Sequence, residues 1–516
     1  MSRRTMALAT APTEAARRHP SASIHLDRPL DLFPTAGTEL SFVDFRDRVE
    51  TAAGLLAAAG ITAGGRVVLV KRPNFDVPLL AFACARIGAV PVLVHHAVGA
   101  ASLGALVRTA EPVALITDAA TETAGVLAEV PADTAPRWYV GDAGAHGRSL
   151  GELNATTLPA PTVPPQDAPQ LVTHSSGTTG VPKLVVHSVR SFAGHAKPQV
   201  MIGRVLRVHD PLLMCLSPVH ARSMSGMLAI LALGVPLGFM IDPAPENAAA
   251  MMARVRPGLL ETVPNVFIRW EEVAEKRPEL FAGVRMFLSS FDAAHPRTIN
   301  ALLRVAAPKA RYLQAYGQSE TGPVTVKLHR LGGGCEDGRC VGKPVFGHTR
   351  IRVSDEDGDT PLGKERPGAI FARSGGITPS YIGYPDQRKN GWWAMGDYGM
   401  VSKKGCLHLY DRLVDRKDGV ESLLATEDHI LEAVPHLTEA VLIPVADGPP
   451  VPLVCTRGDL PLDAAAWAAA TAGLPPLADP VHCRWDDIPH TATWKVKRGE
   501  VARRLAAGEL TRLAER

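Results

Sequence analysis

The sequence predicts an α/β protein with a large N-terminal domain and a small α+β domain at its C-terminal end. The chain has 516 residues, severalfold the usual length of one domain, and its composition is that of a globular protein with sizeable cores. Strand and helix patterns alternate near the N-terminus, which favours a mostly parallel sheet covered by helices. After residue 413, helix and strand patterns form a separate unit of about 100 residues, within the size range of a domain.

The first helix of the large domain is predicted between Ser41 and Gly60. Ser41 and Asp44 have the spacing of a capping box, apolar residues then recur at helical intervals, and Gly60 ends the pattern. The segments that follow predict a strand, a helix and two further strands, at 65–70, 77–87, 90–94 and 114–118.

The last quarter of the chain begins with a predicted hairpin. The sequence MVSKKGCLHLY, residues 400–410, places two short strands around Lys-Lys-Gly. Beyond it the pattern predicts a helix, two strands and a basic final helix, at 427–434, 439–445, 451–455 and from residue 500 onward.

Charge and composition exclude several classes of partner. The 55 basic and 52 acidic residues leave a net charge of +3, which gives no indication of nucleic acid or an anionic membrane. No apolar run is long enough to predict a transmembrane helix. Seven scattered cysteines favour a cytoplasmic protein with reduced thiols. Residues 1–22 lack the apolar core of a signal peptide and are predicted to be a disordered tail.

A loop rich in Ser, Thr and Gly lies between two apolar runs. Its sequence is HSSGTTGVPK, residues 174–183. Small hydroxyl side chains and glycines can turn several N–H and O–H groups toward one point, which is an arrangement that binds phosphate. The loop does not follow the Walker pattern, because Pro182 precedes Lys183. Taken alone, the segment is compatible with a phosphate loop and with an ordinary turn.

Four further segments occur in a recognisable order with this loop: AYGQSETG at 315–322, GWWAMGDYG at 391–399, Arg412, and PHTATWKVKR at 489–498. Together the five segments resemble the adenylate-forming (ANL) superfamily of acyl-CoA synthetases, peptide-synthetase adenylation domains and luciferases. The resemblance implies an ANL-type fold, in which residues 23–413 bind ATP and an acid. Residues 414–516 would form a mobile lid domain that carries the catalytic lysine.

The resemblance also implies roles for individual residues. The loop and Lys183 would hold the β- and γ-phosphates of ATP, Ser319 or Thr321 the α-phosphate, and Tyr316 the adenine. Glu320 would be the Mg²⁺ ligand, since Mg²⁺ prefers one or two carboxylates together with phosphate oxygens. The residues implied to bind ATP are Ser175, Ser176, Gly177, Thr178, Thr179, Gly180, Lys183, Tyr316, Gly317, Ser319, Thr321, Asp397 and Arg412, with the last two at the ribose.

Lys495 matches the catalytic lysine of the family, whose ammonium bridges the attacking acid and the α-phosphate as a point charge. Trp494 replaces the glycine that usually precedes this lysine. His220 resembles the aromatic or His residue that gates the acid pocket, although a structural role is equally compatible with the sequence. The residues predicted to line this pocket are His220, Met224, Gly226, Phe291, Asp292 and Ala315.

Two segments depart from the family pattern. In SSFDAAHP, residues 289–296, Phe291 and Asp292 occupy a turn that usually contains small residues, which predicts an altered pocket. Asp292 either binds a polar or amine-bearing substrate or lies at the surface. After Arg412, Val414 stands at the usual hinge position and the loop is shorter than in the family, so that transfer to a thiol is in question.

The sequence therefore predicts ATP- and Mg²⁺-dependent activation of a small acid as its adenylate, with pyrophosphate release. Transfer to CoA is the family default, and a carrier protein remains an open alternative. A second hypothesis is activation of an unusual acid such as nitrite with direct transfer to an amine, as in diazotases, or amide formation without CoA. A third is a nucleotide-binding protein without catalysis.

Overall fold

The computed structural model describes residues 6–175, 182–292, 294–333, 338–416, 422–434, 436–445, 448–491, 496–510 and 513. The helices are α1 (Ala11–Arg18), α2 (Phe42–Ala58), α3 (Asp76–Arg86), α4 (Ala100–Ala110), α5 (Ala119–Thr123), α6 (Val189–Val205), α7 (Ala221–Leu233), α8 (Pro245–Val255), α9 (Pro264–Lys276), α10 (Pro296–Val305), α11 (Leu423–Ala433), α12 (Ala464–Thr471) and α13 (Arg498–Ala506).

The strands are β1 (Ser23–Leu26), β2 (Glu39–Ser41), β3 (Arg66–Leu69), β4 (Val90–Leu93), β5 (Ala114–Thr117), β6 (Arg137–Tyr139), β7 (Gly147–Ser149), β8 (Pro169–His174), β9 (Leu184–Ser188), β10 (Leu212–Cys215), β11 (Leu237–Met240), β12 (Leu259–Thr262), β13 (Met286–Ser289), β14 (Arg311–Gln318), β15 (Gly322–His329), β16 (Cys340–Pro344), β17 (Thr349–Ser354), β18 (Gly368–Ser374), β19 (Ser380–Tyr381), β20 (Trp393–Val401), β21 (Leu407–Arg412), β22 (Leu437–Ile443), β23 (Val451–Thr456) and β24 (Val481–His482).

Three sheets organise these strands. One has eight strands in the order β19-β9-β8-β4-β3-β5-β6-β7, and its strands from β8 to β7 run parallel. A second has thirteen strands in the order β17-β18-β20-β21-β16-β15-β14-β13-β12-β10-β11-β1-β2, parallel from β14 to β1 and antiparallel beyond β14. The third sheet, β22-β23-β24, belongs to the C-terminal unit. The α/β prediction is confirmed.

Local sequence signals explain several of these elements. The side chain of Ser41 accepts the backbone N–H of Asp44, and Asp44 accepts the backbone N–H of Ser41, so the predicted capping box begins α2. Gly60, with φ of +83°, follows the C-terminal end of the helix. The hairpin predicted at 400–410 is formed by β20 and β21.

The prediction of a disordered N-terminal tail is wrong for residues 6–22. Helix α1 packs against α2 and α7, and Met6 and Leu8 are buried. The backbone N–H of Leu8 donates to the side-chain oxygen of Gln170 at 3.0 Å. The small alanine side chains of α1 permit close packing on neighbouring helices. This segment is therefore part of the core.

Removing residues 1–19 is expected to lower the free energy of unfolding by about 3 kcal/mol or more, because the deletion exposes the surfaces of α2 and α7 that contact α1 and removes Met6 and Leu8 from the core. Differential scanning calorimetry of the truncated and full-length proteins measures the effect. An unchanged melting temperature would show that the segment contributes no packing.

The C-terminal unit contacts the large domain through charged groups. Asp428 of α11 pairs with Arg339 and lies 3.2 Å from the ring of His295. On the other side, Arg457 is 3.0 Å from Glu271 and 3.1 Å from Glu275, both on α9. Among the described residues, no helix is both long and apolar enough to cross a membrane.

Glu439 of β22 is a buried carboxyl at the same boundary, 3.3 Å from the side-chain nitrogen of Asn265. Burial raises its pKa from 4.5 to about 7, with Glu427 and Asp292 acting in the same direction and His295 and Arg498 opposing them. Between pH 4.5 and 7 the folded state therefore holds a proton that the unfolded state has lost, so stability falls as the pH rises through this range.

The Glu439→Gln variant is expected to lack this loss, which amounts to at most about 3 kcal/mol. Its melting temperature relative to the wild type should therefore be higher above pH 7 than at pH 4.5. Melting curves of both proteins across this range provide the measurement. A constant difference between the two proteins at every pH would contradict the raised pKa.

Candidate active site

The Ser/Thr/Gly loop joins the antiparallel strands β8 and β9. Two hydrogen bonds close its base: the backbone N–H of Ser175 donates to the carbonyl of Lys183, and the backbone N–H of Lys183 donates to the hydroxyl of Ser175, each at 2.9 Å. The ammonium of Lys183 lies 5.0 Å and 5.1 Å from the rings of Tyr381 and Tyr384. Ser176, Gly177, Thr178, Thr179 and Gly180 lie outside the described residues.

Glu320 lies in the connection between β14 and β15 and is only 8% exposed. The hydroxyl of Tyr381 donates to its carboxylate at 2.9 Å. Burial raises the pKa of Glu320, whereas the positive charges of Arg412 and Lys183 oppose that shift. A buried anion facing a cavity is stabilised by a cation, so the environment of Glu320 fits a bound Mg²⁺.

Tyr316, Asp397 and Arg412 form a connected group on three strands of the large sheet. The hydroxyl of Tyr316 donates to Asp397 at 2.6 Å, and the guanidinium of Arg412 lies 3.8 Å from the other carboxylate oxygen. Asp397 and Arg412 are directly opposite each other across the β20–β21 hairpin. Burial and the negative charge of Asp397 raise the pKa of the Tyr316 hydroxyl, which keeps it protonated as a donor.

His220 immediately precedes α7 and caps it. Its Nδ1 accepts the backbone N–H of Arg222 at 3.0 Å, so in the neutral ring Nε2 carries the proton. Nε2 lies 3.3 Å from the hydroxyl of Ser319. Ser319 lines the cavity described below, whereas the buried Thr321 hydroxyl bonds to the backbone of Gln318 and Gly322.

A cavity of about 540 Å³ joins these groups. Ser175, Lys183, Tyr316, Glu320 and Arg412 line one end. The cavity then extends along the inner face of the large sheet, between β12–β14 and one face of α7. That helix face is formed by residues at three- and four-residue spacing, namely Arg222, Ser225, Gly226, Ala229, Ile230 and Leu233.

The structure brings four of the six predicted pocket residues to the cavity: His220, Gly226, Phe291 and Ala315. Met224 is instead fully buried in the core, because it projects from the face of α7 opposite Arg222. Asp292 is exposed and is absent from the described cavity wall, while its charge acts on Glu439.

Phe291 has a strained backbone, with φ of +82°, in the turn after β13. Such a conformation in a non-glycine residue typically costs about 1–3 kcal/mol and is often found at functional sites. The Phe291 ring contacts the His220 ring edge-on, with centroids 4.4 Å apart. Phe291 therefore forms an aromatic wall beside His220, in the turn where the sequence predicts an altered pocket.

Sequence reasoning missed a charged pair in the middle of the cavity. Arg222 of α7 and Glu261 of β12 form a bidentate ion pair, with N–O distances of 2.6 and 2.8 Å. Gln199 of α6 accepts a further hydrogen bond from Arg222 at 2.5 Å. Two sequence signals for this pair were available: Arg222 lies only two residues after His220, and Glu261 interrupts the apolar strand β12.

Lys495 lies outside the described residues, but both ends of its segment are described. His490 and Val496 form an antiparallel bridge, and the backbone N–H of Lys497 donates to the carbonyl of Pro489 at 2.9 Å. Thr491, directly after His490, lines the cavity. The C-terminal unit thus contributes Thr491 to the cavity wall.

The segment after Arg412 also reaches the cavity. Val414 lines it, although this side chain is 67% exposed. Arg416 packs over the ring of Tyr398 at 4.0 Å and lies 3.2 Å from Glu356. The described start of the loop after Arg412 is therefore held on the large domain.

The architecture consists of a large α/β domain, whose cavity lies along β12–β14 and α7, and a small C-terminal unit that contributes Thr491 to the cavity wall. The sequence matches the AMP-binding enzyme family over residues 13–382. The chain therefore belongs to that family, and it is an AMP-forming acid ligase of the adenylate-forming superfamily.

Individual relatives narrow the comparison. The chain is 38% identical to the 3-amino-2-hydroxy-4-methoxybenzoate diazotase of Streptomyces cremeus, over 95% of this chain and 94% of that protein. It is 24% identical to a 3-aminoavenalumate diazotase of Streptomyces sp., over 89% and 88% of the two chains. The fold is similar to that of a benzoate CoA ligase from Burkholderia xenovorans, with a TM-score of 0.79 and 17% identity over 96% and 99% of the chains.

Proposed function

We propose that this enzyme activates nitrite with ATP and transfers the nitroso group to an aromatic amine, which becomes a diazonium ion. The observation that carries the proposal is the 38% identity to a diazotase, which extends over 95% of the chain. The cavity of about 540 Å³ is far larger than a nitrite ion needs, so a second substrate can bind beside the adenylate.

The proposed reaction has two steps. A nitrite oxygen attacks the α-phosphorus of ATP, pyrophosphate leaves, and a mixed anhydride of nitrous acid and AMP forms. The amine nitrogen then attacks the nitroso nitrogen, AMP leaves with the bridging oxygen, and the amine nitrogen loses a proton. The resulting N-nitroso compound tautomerises, is protonated and loses water to give the diazonium ion.

The residues of this chain position the reactants and stabilise charge in the first step. The Ser175–Lys183 loop would hold the β- and γ-phosphates, while Asp397 and Arg412 would bind the ribose beside Tyr316. Glu320 would hold Mg²⁺, which neutralises charge on the phosphate oxygens when it is bound. Lys495 would bridge nitrite and the α-phosphate.

His220 has a defined part in this scheme. Because its Nδ1 accepts the backbone N–H of Arg222, Nε2–H can donate but cannot accept a proton in the same neutral ring. Its position beside Ser319 supports donation to an oxygen of nitrite or of the α-phosphate. We therefore propose His220 as a hydrogen-bond donor in catalysis and not as a general base.

An AMP-forming ligase that transfers an aryl acid to CoA or a carrier thiol is the second candidate. The benzoate CoA ligase with a similar fold supports it. The shortened loop after Arg412 and its anchoring through Arg416 favour transfer inside the cavity, because access by a thiol depends on this loop in the family that the chain resembles. ATP consumption in either reaction supports a cytoplasmic location.

Pyrophosphate exchange and azo coupling distinguish these functions. ATP and Mg²⁺ are supplied with nitrite, benzoate or no acid, and exchange is measured first. An aminobenzoate is then added, and a diazonium product is detected by the colour it forms with a naphthylamine. We expect exchange with nitrite and colour without CoA, while omission of ATP controls for uncatalysed nitrosation. Exchange that requires an aryl acid, with AMP release that requires CoA, would contradict the proposal.

A further inference from the structure

The cavity wall is organised in rows by the register of parallel strands. Glu261, Leu288 and Leu313 are paired neighbours across β12, β13 and β14 and form one row. Ala315 lies two residues further along β14, toward the nucleotide residues. Two residues of a strand span about 7 Å, so Glu261 lies about one row deeper than Ala315. In the next row Leu259 is paired to Met286 and Met286 to Arg311, and the two apolar residues of that row line the cavity.

Arg222 is held rigidly in the Glu261 row. Its Nε and Nη2 donate to the two oxygens of Glu261, and its Nη1 donates to Gln199. Gln199 in turn donates to the carbonyl of His195 at 3.0 Å, which fixes its orientation. A guanidinium has five N–H groups, and these described contacts use three, so two remain for a ligand.

This ion pair is expected to contribute little to the stability of the fold. Glu261 is 2% exposed and Arg222 is 21% exposed in a wall that is otherwise largely apolar. Burying both charges carries a desolvation cost, and replacing such pairs by apolar residues is often neutral or stabilising. Its position in the substrate cavity, with donors still available, points to recognition of a ligand.

We infer that Arg222 binds a carboxylate carried by the aromatic amine, with Glu261 and Gln199 as the positioning residues that fix the guanidinium. This inference rests on the proposed function for the identity of the amine as the second substrate. The amine would lie near Phe291 and Ser319, where the activated nitrite forms. The spacing of one row, about 7 Å, is close to the span of a benzene ring with its substituents. A carboxylate on the same ring therefore reaches Arg222.

The substrate class is therefore an aminobenzoate whose carboxylate is recognised and is not itself adenylated. A bidentate contact between a guanidinium and a carboxylate also fixes the plane of the ring. That fixes which ring position faces the nitroso group. A neutral amide or ester in place of the carboxylate would leave the Arg222 donors poorly matched.

Equilibrium binding tests this inference independently of turnover. Calorimetry measures the dissociation constants of 3-aminobenzoate and of the uncharged 3-aminobenzamide with the ATP-loaded wild type. We expect the carboxylate to bind about 10- to 100-fold more tightly, the size of a charged hydrogen-bond contribution. In the charge-free double variant Arg222→Gln/Glu261→Gln, which leaves no unpaired charge, the ratio should fall to near one.

Two further variants serve as controls. Arg204→Gln removes an exposed charge from α6 and should keep the wild-type preference. Arg222→Lys keeps the positive charge but lacks the planar guanidinium, so it should retain part of the preference for the carboxylate. ATP-induced stabilisation of each protein verifies that it is folded.

Equal affinities for acid and amide in the wild type, or an unchanged preference in the double variant, would overturn the assignment of Arg222. If the wild type prefers the carboxylate and this preference depends on Arg222, but no nitrite-dependent exchange occurs, the proposed reaction is refuted and the assignment of the carboxylate site is retained. The two failures are therefore distinguishable.

Discussion

The Lys495→Ala variant is expected to form the adenylate about 10²- to 10³-fold more slowly than the wild type, the loss seen when one donor to a developing charge is removed. In the proposed reaction the ammonium would neutralise the incoming anion and the α-phosphate at the same time, and no uncharged side chain can replace it. Single-turnover release of pyrophosphate measures this step without interference from transfer to the amine.

Lys497→Ala is the matched control, because it removes the same charge from the same segment. Lys497 contributes its backbone N–H to the carbonyl of Pro489, and the substitution leaves that contact intact. We expect its rate to stay within about threefold of the wild type. Equal rates for the two variants would remove Lys495 from the mechanism.

The Glu320→Gln variant is expected to lose about 10²- to 10³-fold in kcat/KM for ATP-dependent activation and to require more Mg²⁺. The amide has the same shape and can still accept from Tyr381, so the change mainly removes the negative charge. A titration with Mg²⁺ at saturating ATP separates weakened metal binding from a general loss of activity.

Tyr381→Phe provides the comparison for Glu320. It removes one hydrogen bond at 2.9 Å and preserves the carboxylate, so we expect a loss of about 10-fold or less. A Glu320→Gln enzyme with the wild-type Mg²⁺ dependence would show that the metal is held elsewhere.

Much of the fold could be predicted from local sequence signals. The capping box at Ser41, the strand after Gly65 and the hairpin at 400–410 are encoded within a few residues, and each is found where expected. Helix α1 was missed because its burial depends on surfaces of α2 and α7 that are distant in the chain. Propensity alone does not reveal such contacts.

The site residues also fall into two groups, those that local motifs reveal and those that depend on tertiary contacts. Glu320 and Asp397 occur in recognisable motifs, whereas the contact of Arg222 with Glu261 depends on the rotation of α7 and the register of β12. Met224 illustrates the converse, since it is close to His220 in sequence but projects from the opposite helix face to Arg222. Proximity along the chain indicated the segment but not the side of the helix that faces the cavity.

The anchoring of Arg416 over Tyr398 has a consequence for engineering. If nitrosation is completed inside one closed chamber, the two halves of the protein need not separate between the half-reactions. A covalent cross-link between the large domain and the C-terminal unit would then be tolerated during turnover. In a thiol-transferring relative whose C-terminal unit must rotate between the half-reactions, the same cross-link would stop turnover.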